Sequence, residues 1–156
     1  MARRVVNTSN LTWPGNVVRT AAIDLGTVRV GLAVADDLGL MAHPRPYLDG
    51  RDAAKLLAEL ARVARDEGIG QFVVGLPRRL DGREGLEAKR ARRFAEKLGA
   101  ATGVAVVLMD EWLSTKEATA RLRERGVKAR EARALVDSEA AALLLQAFLD
   151  GRRTEP

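Results

Sequence analysis

Apolar residues fall into short strand-like runs in the first third of the chain and then into a helical spacing. The segment 20–36 predicts two strands joined by a short glycine-containing turn near 25–27, and a third strand is expected over 45–48. From Asp52 to Glu67 apolar positions recur every three or four residues, which predicts a helix that ends at Gly68. A strand hairpin therefore precedes the first helix.

Two continuous apolar runs indicate interior strands in the second half of the chain. They cover 71–76 and 104–109, and Pro77 stops the first of them. A helix is expected between them, over 84–98. This alternation predicts an α/β fold with a mixed central sheet of about five strands, flanked by helices on both faces.

The last third of the chain is predicted to be helical. The segment Ser114-Thr115-Lys116-Glu117 has the capping-box pattern, in which the end side chains bond each other's backbone N–H groups, so a helix should begin there. We expect that helix to run to about Arg125 and to stop at Gly126. After a basic connector, a last helix should cover about 136–149.

The chain length of 156 residues suits one domain with a full core and is too short for two ordinary ones. We expect that domain over 20–151, with a short tail over 152–156. Residues 1–19 lack a sustained period and carry turn formers, so we expect a loosely ordered extension there. No apolar run reaches the roughly 18 residues of a membrane span, and no secretory signal is present, so a cytoplasmic protein without membrane association is expected.

Composition restricts the available chemistry to carboxylates. The chain has no cysteine and one histidine, His43, which excludes disulfides and thiolate sites and disfavours a Ser-His-Asp triad or a histidine-rich metal centre. The net charge of +5 favours a polyanionic partner such as nucleic acid. A GC-rich genome would also produce this excess, because 21 of the 26 basic residues are arginine.

Acidic residues at the ends of buried strands are the candidates for function. Asp24 ends the first strand, and Asp110 and Glu111 follow a later one, where open α/β sheets usually bind ligands. An ionised carboxylate in such a place must be solvated, paired or bound to a metal. Asp137 lies where the last helix is expected to begin, so it could be an N-cap, a role that Ser138 could also fill.

The turn after the first strand has the composition of a phosphate or metal site. Asp24-Leu25-Gly26-Thr27, followed by Arg29, Gly31 and Asp36, is expected to bring a carboxylate, a glycine and a hydroxyl together. A similar turn serves actin-like and sugar-kinase ATPases. Those enzymes close two domains around ATP, which 156 residues cannot supply.

Four sequence blocks together resemble the YqgF family, also called RuvX, of bacterial Holliday junction resolvases and pre-16S ribosomal RNA nucleases. The resemblance covers about 21–151 and implies an RNase H-like fold with nuclease chemistry carried by Asp24, Glu111 and Asp137. In the third block Trp112 stands where the family usually has arginine. The blocks are Ile23 to Asp36, Val74-Gly75-Leu76-Pro77 with Asp81-Gly82, Asp110 to Thr115, and Asp137-Ser138-Glu139-Ala140-Ala141.

Three converging carboxylates suit Mg²⁺ or Mn²⁺, which prefer oxygen ligands. Two ions, roughly 4 Å apart, would activate a water molecule and stabilise the leaving 3′ oxygen during in-line attack on a phosphodiester. In this hypothesis Asp24 bridges the ions, and Glu111 and Asp137 each complete the coordination of one. Asp110 is expected to have a structural role in orienting the helix that follows it.

Basic residues on the loop after the 71–76 strand are candidates for phosphate contacts. Arg78, Arg79 and Arg83 lie there, and Thr27 and Arg29 are expected to assist at the first turn. Further basic residues would extend this surface or simply form solvated helix faces. They are Lys89, Arg90, Arg92, Arg93, Lys97, Arg121, Arg123, Arg125, Lys128, Arg130 and Arg133.

Two other function classes stay open at this point. One is a nucleic-acid-binding protein of the same fold with little activity, and the other is a nucleotide-binding module. Within the nuclease class, precursor ribosomal RNA and branched DNA are both compatible with the chemistry, and no aromatic stacking platform is visible in the sequence. Symmetric cutting of a four-way junction would require two active sites and therefore a homodimer.

Overall fold

A computed structural model describes residues 3–7, 18–79, 81–111 and 129–154, with side chains left out for 3–7, 111, 129–137 and 152–154. In this part of the chain, six strands form one mixed sheet and three helices pack on it. In chain order the elements are β1 (Arg3–Asn7), β2 (Thr20–Leu25), β3 (Arg29–Ala35), β4 (Ala42–Asp49), α1 (Ala53–Glu67), β5 (Gln71–Pro77), α2 (Leu86–Thr102), β6 (Ala105–Glu111) and α3 (Ala129–Thr154).

The strand order is β1-β6-β5-β2-β3-β4, with β2, β5 and β6 parallel and the remaining pairs antiparallel. The carboxyl ends of the three parallel strands therefore meet at one edge of the sheet. The five strands from β2 onward agree with the predicted mixed sheet, and β4 is longer than the predicted 45–48 because it includes His43 and Pro44.

Strand β1 was not predicted from the sequence. A loosely ordered extension was expected over 1–19, whereas Arg3–Asn7 pair antiparallel with β6 at the edge of the sheet. This edge position lets β6 bond on both sides, to β1 and β5. The six-stranded sheet is thus one strand wider than the sequence pattern indicated.

Two hydrophobic clusters separate the faces of the sheet. On one face, Ile23, Val74 and Leu108 pack in a cluster with the apolar sides of α1 and α2. On the other face, Ala22, Val73, Val107 and Met109 pack against the C-terminal half of α3, including Leu145 and Phe148. Strand side chains alternate between faces, so this division fixes the face to which each neighbouring position belongs. Helices cover both faces, as predicted.

Helix boundaries follow local capping chemistry. The Asp52 side chain accepts from the Lys55 N–H at the start of α1, and Gly68 ends that helix in the left-handed conformation that glycine adopts without strain. Helix α2 likewise ends at Gly103, with φ of 69°. Within the described ranges, none of the helices is both long and apolar enough to span a bilayer.

Candidate active site

Asp24 lies at the carboxyl end of β2, on the sheet face that α3 covers. Its neighbour Ile23 packs on the α1 and α2 side, and Ala22 packs on the α3 side, so alternation puts Asp24 on the latter. In register it faces Gly31 of β3, which contributes no side chain. The Asp24 side chain is half-buried. A half-buried carboxylate at the end of a central strand therefore faces a position without a side chain.

The turn after Asp24 is fixed by two hydrogen bonds from outside it. The Gly50 N–H donates to the Val28 carbonyl at 2.7 Å, and Arg90 Nη2 of α2 donates to the Gly26 carbonyl, also at 2.7 Å. Thr27 and the following residues are exposed at its tip. The backbone next to Asp24 is therefore held in place before any ligand binds.

Backbone register brings Glu111 to the same sheet edge. β6 ends at Glu111, which pairs with Pro77 at the end of β5. Position 111 follows 107 and 109 at the two-residue repeat, and the side chains of Val107 and Met109 pack against α3. Position 111 thus belongs, by register, to the face that carries Asp24.

Helix α3 is anchored to the sheet beside Asp137. The Ser138 hydroxyl, fully buried, accepts the Leu32 N–H at 3.1 Å, and Leu32 pairs with Ile23, the residue before Asp24. The backbone at position 137 is therefore held above the strand pair that carries Asp24. The alternative in which Asp137 or Ser138 is the N-cap of the last helix is wrong, because α3 begins at Ala129 and both residues lie in its interior.

Arg78 links the end of β5 to the end of β6. Its Nε donates to Asp110 Oδ1 at 2.9 Å, and its Nη1 lies 3.4 Å from Glu84, which in turn binds Arg92 at 2.7 Å. The Arg78 and Asp110 side chains are only 18% and 12% exposed. Asp110 thus faces the α2 side, opposite to Asp24. The predicted helix after Asp110 lies outside the described residues.

Arg79 and Arg83, the other two predicted phosphate contacts on this loop, are exposed. The side chain of Arg79 is 66% exposed, and its Nε is 4.0 Å from Asp81 Oδ1, at the outer limit of an ion pair. Backbone bonds from Arg79 to Arg83 and from Gly82 to Arg79 shape the turn. Arg78 therefore secures the loop, while its two neighbours are exposed to solvent.

Replacing Arg78 by alanine should lower the free energy of unfolding by about 1–2 kcal/mol, because the poorly exposed Asp110 carboxylate loses its ion-pair partner. Arg79→Ala on the same loop is the matched control and should change stability by less than about 0.5 kcal/mol. Urea denaturation of both variants measures the difference. Equal stability of the two would show that Arg78 does not secure the strand ends.

Asp36 is not part of this site. The sequence analysis grouped it with the Asp24 turn, but it follows the far end of β3, which runs antiparallel to β2. There its Oδ1 accepts the Leu40 N–H at 2.8 Å, and this bond lowers the pKa of the Asp36 carboxyl below its ordinary value. Asp36 therefore shapes the β3–β4 turn.

Sequence reasoning did not identify Tyr47 as a residue near Asp24. A bulge in β4 puts Pro46 and Tyr47 opposite Gly31, and the Arg29 guanidinium lies 5.1 Å from the Tyr47 ring centroid. In the sequence, Tyr47 is a single aromatic residue in a polar segment. Its neighbours on the adjacent strand are known only from the strand pairing. An aromatic side chain therefore lies two strands away from Asp24.

Two of the three predicted metal ligands, Glu111 and Asp137, have side chains outside the described part of the structure. Among the side chains that the structure describes, no three acids or histidines are grouped closely enough to hold a metal ion. Those of Glu111 and Asp137 are outside that set, as is Trp112. The three-carboxylate site stays a prediction supported by backbone positions.

Comparison with known sequences gives one consistent result. The model of a family described as RuvX, Holliday junction resolvase, matches residues 18–151. A protein of Anaeromyxobacter sp. (strain Fw109-5), named "Putative pre-16S rRNA nuclease", is 51% identical over 86% of this chain and 98% of its own length. A protein of the same name from Myxococcus xanthus (strain DK1622) is 41% identical over 87% and 90% of the two chains.

Comparison with solved structures supports the fold. RuvC of T. thermophilus, solved with a Holliday junction substrate, superposes with a TM-score of 0.55 at 20% identity, over 88% of this chain and 98% of that one. The fowlpox virus resolvase, also solved with junction DNA, gives 0.52 at 9% identity, over 86% and 99%. The predicted RNase H-like architecture is confirmed by these likenesses.

Proposed function

The chain belongs to the RuvX family of Holliday junction resolvases, and from that membership we propose that it is a metal-dependent endonuclease acting on structured nucleic acid. Asp24, Glu111 and Asp137 would hold the metal ions. The observation that supports this proposal is that Asp24 and position 111 lie at strand ends at one sheet edge, on the face covered by α3, while position 137 of α3 is next to Ser138, which binds the strand pair of Asp24.

The donor set fits hard divalent cations. Carboxylate oxygens are the ligands that Mg²⁺ and Mn²⁺ prefer, and the chain offers no cysteine at all for a softer metal. When bound, two such ions supply a nucleophilic water and neutralise charge on the leaving oxygen. Asp24, Glu111 and Asp137 would supply the oxygen ligands for these ions.

The other residues of this edge would position the nucleic acid. Arg79 and Arg83 are exposed on the loop after β5, and Thr27 and Arg29 are exposed at the turn after Asp24. Each can contact a backbone phosphate, which fixes the register of the strand without reading its sequence. Arg78 would act through the loop that it secures to Asp110.

Precursor 16S ribosomal RNA is the substrate that the relatives' names favour, and a four-way DNA junction is the second candidate. The junction is favoured by the family description and by the likeness to RuvC. Cleavage of one preparation against both substrates, with Mg²⁺ and with EDTA, tests the proposal. If the folded protein cleaves neither substrate, the nuclease proposal is contradicted. The two alternatives are then a nucleic-acid-binding protein with little activity and a nucleotide-binding module. Calorimetry with ATP distinguishes them, because only the second should bind ATP.

Symmetric junction cleavage predicts a homodimer, because each of two strands needs its own metal site. Processing one RNA end needs a single site. Sedimentation of the protein with and without junction DNA therefore complements the cleavage assay.

Ser138→Ala should slow cleavage and destabilise the fold together. Removal of the hydroxyl leaves the buried Leu32 N–H without its acceptor, at a cost of about 1–2 kcal/mol, and loosens α3 beside Asp137. Ser138→Thr keeps a hydroxyl and is the matched comparison. Thermal unfolding and cleavage rates measure the two effects, and a Ser138→Ala enzyme with wild-type stability would contradict this role.

A further inference from the structure

Strand β4 contributes an exposed aromatic residue beside the proposed cleavage site. Arg45 and Leu48 face the α1 side, where Arg45 pairs with Glu67 and Leu48 packs on the core. The bulge between them leaves Pro46 and Tyr47 on the opposite face, the face of Asp24. Bulges of this kind commonly redirect side chains next to functional sites.

The guanidinium of Arg29 lies over the ring of Tyr47. The guanidinium carbon of Arg29 lies 5.1 Å from the ring centroid, a cation–π distance, and covers part of the ring. The tyrosine is still 39% exposed, and Arg29 is exposed as well. Both an aromatic ring and a guanidinium plane are groups on which nucleobases stack.

Arg29 is one strand away from Asp24, and Tyr47 is two strands away. Gly31 is the register partner of Asp24, Arg29 is two residues along the same strand, and Tyr47 stands across from Gly31 on β4. Neighbouring strands are about 4.8 Å apart, so the backbones of β2 and β4 are about 10 Å apart here. A nucleotide next to the phosphate that would be cleaved at the proposed site can span this distance.

We propose that Arg29 and Tyr47 form a stacking platform for an unpaired nucleobase beside the scissile phosphate. This inference rests on the proposed function and deepens it, because it names substrates with an unpaired or splayed nucleotide as the preferred class. A base inside a continuous duplex is stacked on its neighbours and cannot occupy the platform. The protein therefore distinguishes interrupted from continuous duplexes at this position.

The closing experiment measures binding in EDTA, where no cleavage occurs, to a duplex with one unpaired 2-aminopurine and to the same duplex fully paired. Tyr47→Leu should weaken binding of the first about 10-fold, as expected for loss of one stacked base, and leave the second unchanged. Tyr47→Phe keeps the ring and should bind like the wild type. Wild-type protein should also quench the fluorescence of the unpaired 2-aminopurine.

Salt dependence separates stacking from phosphate contact. Tyr47→Leu should leave the slope of log affinity against log salt unchanged, whereas Arg29→Gln should reduce its magnitude by about 1 if Arg29 also contacts a phosphate. Equal losses on both duplexes, no loss on either, or a Phe variant as weak as the Leu variant would overturn the platform. The absence of quenching by wild-type protein would do so even if Tyr47→Leu failed to fold.

Parallel Mg²⁺ cleavage of the same duplexes tests the proposed function separately. If the wild-type protein cleaves the duplexes and Tyr47→Leu changes neither binding nor the cleavage rate, the platform is overturned and the nuclease proposal is supported. Selective, Tyr47-dependent binding without any wild-type cleavage overturns the nuclease proposal and leaves the platform supported.

Discussion

Asp24→Asn should reduce metal-dependent cleavage by at least about 10³-fold, which corresponds to roughly 4 kcal/mol of lost transition-state stabilisation. The amide has nearly the shape of the carboxylate, so the strand end is preserved. It lacks the negative charge and one of the two oxygens with which a carboxylate binds divalent ions. Initial rates at saturating Mg²⁺ measure the effect, and calorimetric titration with Mn²⁺ should show weakened metal binding independently of activity.

Asp37→Asn is the matched control for this variant. The same chemical change is made at a side chain that is 93% exposed, away from the proposed site, and should leave the cleavage rate unchanged. Cleavage by Asp24→Asn within a few-fold of wild type would remove Asp24 from the metal site, and the remaining acids would then have to account for the chemistry.

Gly26→Ala should lower the stability of the protein and also reduce its rate of nucleic acid cleavage. A Cβ at this position would lie 2.2 Å from the Arg29 carbonyl oxygen and 3.4 Å from its carbon, so the backbone of the turn has to move. Overpacking of this kind costs about 1–3 kcal/mol. Because Asp24 is two residues away, a shift of the turn by about 1 Å could reduce cleavage by about 10²-fold.

Gly151→Ala makes the same substitution in α3, where nothing lies within 4 Å of the added methyl group. It should be neutral or stabilise the helix by up to about 1 kcal/mol. Urea unfolding and cleavage rates of the two variants form the measurement. A Gly26→Ala enzyme as stable and as active as Gly151→Ala would show that the turn accommodates the methyl group freely.

Local patterns in the sequence were sufficient to predict most of the sheet and the position of Asp24 near the end of a strand. The β2–β3 hairpin, α1 and the two interior strands are each encoded by nearby residues, and a carboxylate that interrupts an apolar strand is visible without any partner. The face to which position 111 belongs followed from the packing of Val107 and Met109 against α3, because an apolar run in the sequence does not show which of its two faces a given helix covers.

Features that depend on distant pairing were missed. Strand β1 is five residues long and acquires its structure by pairing with β6, about a hundred positions later. The start of α3 was placed too late because residues such as Arg130 and Arg133 carry no apolar period. The contact of Tyr47 with Arg29 and the ion pair of Arg78 with Asp110 both bring together residues of different strands or loops.

The bond between Ser138 and Leu32 joins residues 106 positions apart. Loops of that length close slowly, since their entropy must be lost before the contact compensates for it. A chain emerging from the ribosome can form the β2–β3–β4 meander early, but α3 has no place on the sheet until its own residues have been synthesised. A nascent chain therefore lacks the contact between α3 and the strand pair that carries Asp24, and the proposed metal site would be incomplete until this last helix has folded.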